Sequence, residues 1–219
     1  AISRAVRELK FQNERAEEFK KLNQLFLQNI SVLREKLLYD VIYEINTDSE
    51  DIKEKLRLFN INEGTFCLLL VQNDAEDEKD AGSEMSQYDK HLYQFGIINT
   101  FNEVFSDKFD ILQVTLNNIG IAFLIMPRDE RENIPEAIDK KCTYLQEIIC
   151  NCFGFTVTIA VSSTGSELTE LPQKFRECRE ALEHKFYMGS NSIIFHSDVN
   201  TFFKYDDNSM LDKLQKALI

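Results

Sequence analysis

The chain has 219 residues, 43% of them apolar, with five cysteines, three histidines, no tryptophan and a formal net charge of −12. That length can bury a substantial core in one domain with an appendage, while the surplus negative charge repels phosphate backbones and anionic lipid surfaces, which argues against nucleic-acid or membrane-surface binding by this segment itself. No apolar run reaches the roughly 18 residues needed to span a bilayer, and the charged opening AISRAVRELKFQNERAEEFKK is unlike a secretory signal, so a cytoplasmic location is expected.

The chain opens on Ala1 rather than Met, as expected of a segment cut from a longer protein. Residues 2–45 contain no Pro or Gly, the composition of one or two long helices, and 1–45 reads as a helical linker. With Ile2 at heptad position a, Leu9, Ala16, Asn23, Ile30 and Leu37 follow at a, and Ala5, Gln12, Phe19, Phe26 and Leu33 fall at d. This is the seam of a two-stranded coiled coil, with Asn23 as the polar residue that fixes register and favours a dimer. Beyond Leu22 the apolar positions widen to include Leu25, Leu27, Val32, Leu38, Val41 and Ile42, which suggests that the second half packs on its own domain. An amphipathic helix lying on the core throughout is the competing reading.

Residues 49–199 form a second region. A short helix over SEDIKEKLRLF places Ile52, Leu56 and Phe59 on one face, and Asn62-Glu63-Gly64 breaks it. TFCLLLVQND (65–74) is an apolar run of strand length, suited to a central strand covered on both sides. The acidic AEDEKDAGSEMSQ (75–87) has little to bury and reads as a mobile loop. In the next helix Leu92, Phe95, Ile98, Phe101 and Phe105 recur at helical spacing. A hairpin over 110–127 turns at Asn117-Asn118-Ile119-Gly120. A further helix presents Ile134, Ile138, Leu145, Ile148 and Cys152, with Gly154 placed to end it in the left-handed conformation. FTVTIAVSS (155–163) is a β-branched strand. The last helix carries Leu171, Phe175, Cys178, Leu182 and Phe186, stops at Gly189, and leads to the strand SIIFHSDV.

The order is β-α-β-β-α-β with an added α-β, an α+β class. Strand, crossover helix, hairpin, crossover helix and strand make the split βαβ arrangement of a ferredoxin-like sheet with helices on one face, the core that nucleotide-cyclase and diguanylate-cyclase (GGDEF) domains elaborate. No chemistry-bearing motif stands out. Only Cys150 and Cys152 are close, as C-x-C, and His91, His184 and His196 are scattered, so paired metal-ligand spacing is absent and no metal, cofactor or catalytic residue is expected. There is no Walker loop, dinucleotide fingerprint or nucleophile elbow. DAEDEKD (74–80) resembles a calcium loop but lacks its central Gly and terminal Glu.

The stretch FTVTIAVSSTGSELTELPQKFRECREALEHKFYMGSNSIIFHSDV resembles the middle domain of YesN-type response regulators, transcription factors of the AraC family, with its Ser-Ser strand end, Leu-x-x-Leu helix opening, Glu-Ala-Leu-Glu and aromatic helix end before Gly. VLREKLLYDVI (32–42) and FGIINTFNEVFS (95–106) are similar to the same family, and the tail FFKYDDNSMLDKLQKALI, within 200–219, resembles the connector toward its DNA-binding domain. The resemblance implies a phospho-accepting receiver before this segment, a cognate histidine kinase, DNA binding after it, and a homodimer formed through the N-terminal helix. It also implies a degenerate GGDEF-like domain. An active cyclase turn carries glycines that let the backbone approach the nucleotide, and an acid that holds divalent metal together with an acid on the first strand. Between Val114 and Arg128 there is no Asp or Glu, so the turn Asn117, Asn118, Ile119 and Gly120 supplies no such ligand. Asp74 could stand in for one metal ligand by position but reads as an ordinary strand-end residue. The expected role is non-catalytic regulation and signal coupling; the alternative is a sensor holding a small molecule in the old nucleotide groove.

Overall fold

Helix α1 (29–42) brings Leu37, Leu38, Val41 and Ile42 to one side, and all four are buried. The computed structural model describes residues 20–21, 29–45, 48–59, 61, 64–76, 86–117, 119–129 and 134–199. The seam positions Ile2, Leu9, Ala16, Phe19, Asn23 and Phe26, the loop residues 77–85 and the 200–219 connector lie outside the described residues. After α1 come α2 (Ser49–Leu58), β1 (Cys67–Asn73), α3 (Gln87–Phe105), β2 (Phe109–Leu116), β3 (Gly120–Pro127), α4 (Ile134–Phe153), β4 (Val157–Val161), α5 (Leu171–Glu183), α6 (Lys185–Met188) and β5 (Ile193–Phe195). Asp48 caps α2 by accepting the Glu50 amide N–H, and Lys55 and Arg57 sit in its last turn, each compensating an end of the helix dipole.

The sheet order is β2-β3-β1-β4-β5. β1 pairs antiparallel with β3 and β4, and β2 antiparallel with β3. β3 therefore lies between β1 and β2, the two strands that α3 connects, which is the split βαβ arrangement expected from the element order. β4 and β5 are parallel because α5 carries the chain back across the sheet.

Cys67–Val71 are all buried and alternate between two cores. Leu68 and Leu70 meet α1, α2 and α5; Cys67, Leu69 and Val71 meet α3 and α4. Helices thus cover both faces, which corrects the expectation of helices on one face alone. A central strand with no polar alternation has no solvent side, and α1 is drafted to complete the second layer. Leu37, expected in an intermolecular seam, is consequently inside the chain's own core; Ile30 packs against the edge of that core and Leu33 is exposed.

Three further details depart from the sequence pattern. α3 buries Ile97, Phe101, Val104 and Phe105, while Leu92 and Phe95 are 49% and 66% exposed. Apolar residues ring this helix, so spacing alone admits two faces. In α4 the buried face is completed by Ala137, Cys142 and Ile149, with Cys152 exposed. The strand predicted over 192–199 stops at Phe195, and 196–199 is a helical turn. Gly154 (φ +75°) ends α4 as expected, with its N–H on the Cys150 carbonyl. Among the described residues no helix is long and apolar enough to cross a membrane.

Candidate functional site

The β2–β3 turn closes with the Ile119 N–H on the Leu116 carbonyl at 3.1 Å, opposite the pair Leu116–Gly120. Gly120 has φ +140°, and a Cβ built there would lie 2.3 Å from the Val71 carbonyl oxygen. Both the conformation and the close approach of two backbones require glycine. Asn118 lies outside the described residues, and Asn117 is exposed.

Beside this turn runs a groove of about 660 Å³, bounded by the C-terminal end of β1, the hairpin and the first turns of α3. Ser86 starts α3 by accepting the Asp89 N–H at 3.1 Å. Its register then sends Gln87, Lys90, His91 and Gln94, at positions i, i+3, i+4 and i+7, to the groove. Val71, Ile97, Leu116 and Ile121 line it with apolar surface, and no Asp or Glu is among its described lining residues. Asn73, 6% exposed, also lines it. Its Oδ1 accepts the Ala75 N–H at 3.0 Å, whereas its buried Nδ2 has no hydrogen-bond partner among the described residues.

The next residue, Asp74, is fully buried and served by protein donors on both oxygens. Oδ1 accepts from Thr158 Oγ1 at 2.7 Å and pairs with Lys185 Nζ at 2.7 Å. Oδ2 accepts from Thr156 Oγ1 and the Asn191 N–H, each at 2.8 Å. Burial pushes this carboxyl up, but the Lys185 ion pair, the two hydroxyls and the amide more than offset it and hold it below its ordinary value. Asp74 is therefore a structural clasp joining β1, β4 and the α6–β5 turn, with every lone pair occupied. Lys185 reaches further to Gln72 Oε1 at 3.2 Å. Nothing in the local sequence around Asp74 pointed to this cluster.

A second polar cluster sits at the β4–α5 corner. Glu177 Oε2 accepts both the N–H and the hydroxyl of Ser163 at 2.8 Å, and Lys174 Nζ donates to Ser163 Oγ at 2.8 Å. Lys174 also faces Glu177 and Glu170 at 3.5 and 3.8 Å. Burial raises Glu177, but Ser163, Lys174 and His196 together keep it below its usual range. Ser163 is thus held at its N–H, its hydroxyl proton and its hydroxyl oxygen at once, by Glu177 and Lys174. This cluster is what the Ser-Ser and Leu-x-x-Leu stretch builds.

The cysteines follow the same structural logic. Cys67, Cys142 and Cys178 are buried free thiols, with burial pushing Cys67 up to about 11, away from the thiolate form that reacts. Among the described residues no group of three or more His, Cys, Asp or Glu is arranged to hold a metal ion.

No family model matches the chain, and no curated protein matches its sequence. Among solved structures it is similar to the active GGEEF domain of a diguanylate cyclase from Vibrio cholerae, at 9% identity and a TM-score of 0.44, over 66% of this chain and 88% of that one.

Proposed function

We propose that the chain is a non-catalytic regulatory domain that couples an upstream signal to transcription, as the middle domain of a YesN-type response regulator of the AraC family. In this reading a kinase-controlled receiver lies upstream, DNA binding lies downstream, and the N-terminal helix makes a cytoplasmic homodimer. The observation that carries the reading is the treatment of the two positions where cyclase chemistry would need acids. The described groove lining offers no carboxylate, and Asp74 is consumed by four protein donors. Two-metal phosphoryl transfer requires converging anionic oxygens, which these residues do not supply.

A route for the signal is supported by α1. Glu35 Oε1 accepts the Thr115 N–H of edge strand β2 at 3.1 Å, two residues before the groove turn, and the Arg34 guanidinium donates to the Phe59 carbonyl. A shift of α1 would therefore bear directly on the hairpin, the small helix displacement that packed interfaces convert into a switch. Incubation of the protein with GTP and magnesium or manganese tests the non-catalytic half of the proposal. No cyclic dinucleotide is expected, and any enzyme-dependent formation of it contradicts the reading.

The second reading, a small-molecule sensor, is favoured by one observation: a groove of ligand size lined by Asn73, whose buried Nδ2 has no hydrogen-bond partner among the described residues.

A further inference from the structure

We infer that Glu35 is a lock on the outer edge of the sheet: its carboxylate holds β2 closed against strand pairing with a second copy of this chain. Among the described residues the outer strands are β2 and β5. β5 has three residues, too few to template a partner, whereas β2 has eight, FDILQVTL, paired with β3 in unbroken register. β2 carries no Lys, no Pro and no bulge, the devices that usually blunt an edge. The backbone groups of an antiparallel strand alternate sides. The Thr115 N–H goes to Glu35 Oε1 at 3.1 Å and not to β3, so Ile111 and Gln113 direct theirs to the same outer side, and all three residues are only partly buried.

A second copy is the occupant because this edge is complementary to itself. An antiparallel pairing about Gln113 sets Thr115 opposite the partner's Ile111, a β-branched pair whose N–H and C=O groups exchange bonds. The Thr115 N–H then goes to the partner's Ile111 carbonyl, in the place that Glu35 Oε1 now holds, so the two bonds compete. Charge completes the fit. Asp110 shares a face of β2 with Leu112, Val114 and Leu116, which lie in the core that α1 covers, and Arg128 pairs with Asp110 at 2.8 Å with both side chains exposed. The partner's Arg128 therefore comes to the side from which Glu35 reaches the edge and offers the released carboxylate a counter-charge. A movement of α1 that withdraws Glu35 opens the edge. This goes beyond the coupling reading and does not require the N-terminal seam.

The test compares the full-length wild type with Glu35→Ala, Glu35→Gln and the double variant Glu35→Ala, Gln113→Pro. Sedimentation equilibrium gives the association, and amide hydrogen exchange of ¹⁵N-labelled protein at several concentrations locates it. Glu35→Ala should bind a further copy about tenfold more tightly than the wild type does, since one charge-assisted hydrogen bond is worth about that factor. Exchange at Ile111 and Gln113 should slow with rising concentration in that variant alone. Glu35→Gln keeps the acceptor without the charge and should stay close to the wild type. Proline at 113 removes an outward N–H that β3 does not use, and should return Glu35→Ala to the wild-type state. Association of Glu35→Ala no tighter than wild type overturns the lock, as does tighter association without slowed exchange at Ile111 and Gln113. Equal effects of Glu35→Ala and Glu35→Gln trace the change to net charge and overturn it too. Association that persists with proline at 113 places the contact elsewhere and does the same; if that double variant fails to fold, the exchange at Ile111 and Gln113 decides.

Discussion

Asp74 and its neighbour Asn73 show how consecutive residues at a strand end take opposite fates. Asp74 turns toward Lys185 and is fully satisfied; Asn73 accepts the Ala75 N–H with its Oδ1, while its Nδ2 has no partner among the described residues. Removing the cation by Lys185→Met leaves a buried carboxylate without its counter-charge, and urea unfolding should show a loss of about 3–5 kcal/mol. Combining it with Asp74→Leu should recover part of that loss, since an apolar pair avoids the desolvation cost; no recovery would mean that the hydroxyl and amide bonds to Asp74 matter more than the ion pair. The pH dependence follows from the same group. Asp74 and Glu177 are both held below their ordinary values in the folded state, so their stabilisation is complete above the unfolded carboxyl range of about pH 4 and is lost as pH falls through the lowered folded values. Unfolding midpoints between pH 7 and pH 3 should decline only on the acid limb, and Lys185→Met should flatten that limb. None of the Asp74 cluster was legible beforehand, because its partners lie 82, 84 and 117 residues away along the chain. Gly120 was legible as a turn glycine; its contact with the Val71 carbonyl was not. Gly120→Ala should cost about 2–4 kcal/mol through strain and clash together.

At the scale of elements, the strand and helix order, the hairpin and the doubly covered β1 could be read from apolar periodicity, since a 2-residue or 3.6-residue repeat is imposed by the backbone itself. Which face of a helix is buried is a weaker signal. α3 carries apolar residues all round, and the neighbour that selects Phe101 and Phe105 is Phe123 on β3, stacked on Phe101 at 3.6 Å between ring centroids. α6 inverts the usual polarity: Lys185 points inward to Asp74 while Phe186 is 88% exposed, because the clasp rather than hydrophobicity orients it. α1 is the element on which the coupling account depends. Leu37 and Leu38 are 5% and 3% exposed, while Leu33 is 37% exposed. Leu38→Ala should therefore cost about 2–5 kcal/mol in unfolding free energy, and Leu33→Ala no more than about 0.5 kcal/mol. Equal effects at the two positions would deny that α1 is keyed to the sheet through one face.

At the scale of the whole molecule, α1 ends in the domain's own core, so any dimer seam belongs to the heptad positions before Leu37. A truncation at Ser49 would remove Leu37, Leu38, Val41 and Ile42 and open one face of the sheet, making the intact chain the right object for measurement. The acidic surface, net −12, also makes association depend on an apolar seam, since like charges elsewhere repel. The central claim is that the N-terminal helix joins two copies and transmits through α1 to the hairpin. Its most direct test is sedimentation equilibrium of the full chain beside the double variant Phe19→Glu, Phe26→Glu, which places like charges in the seam. The account predicts a dimer that the double substitution converts to a folded monomer; a monomeric wild-type chain, or a dimer unmoved by the two charges, would contradict it.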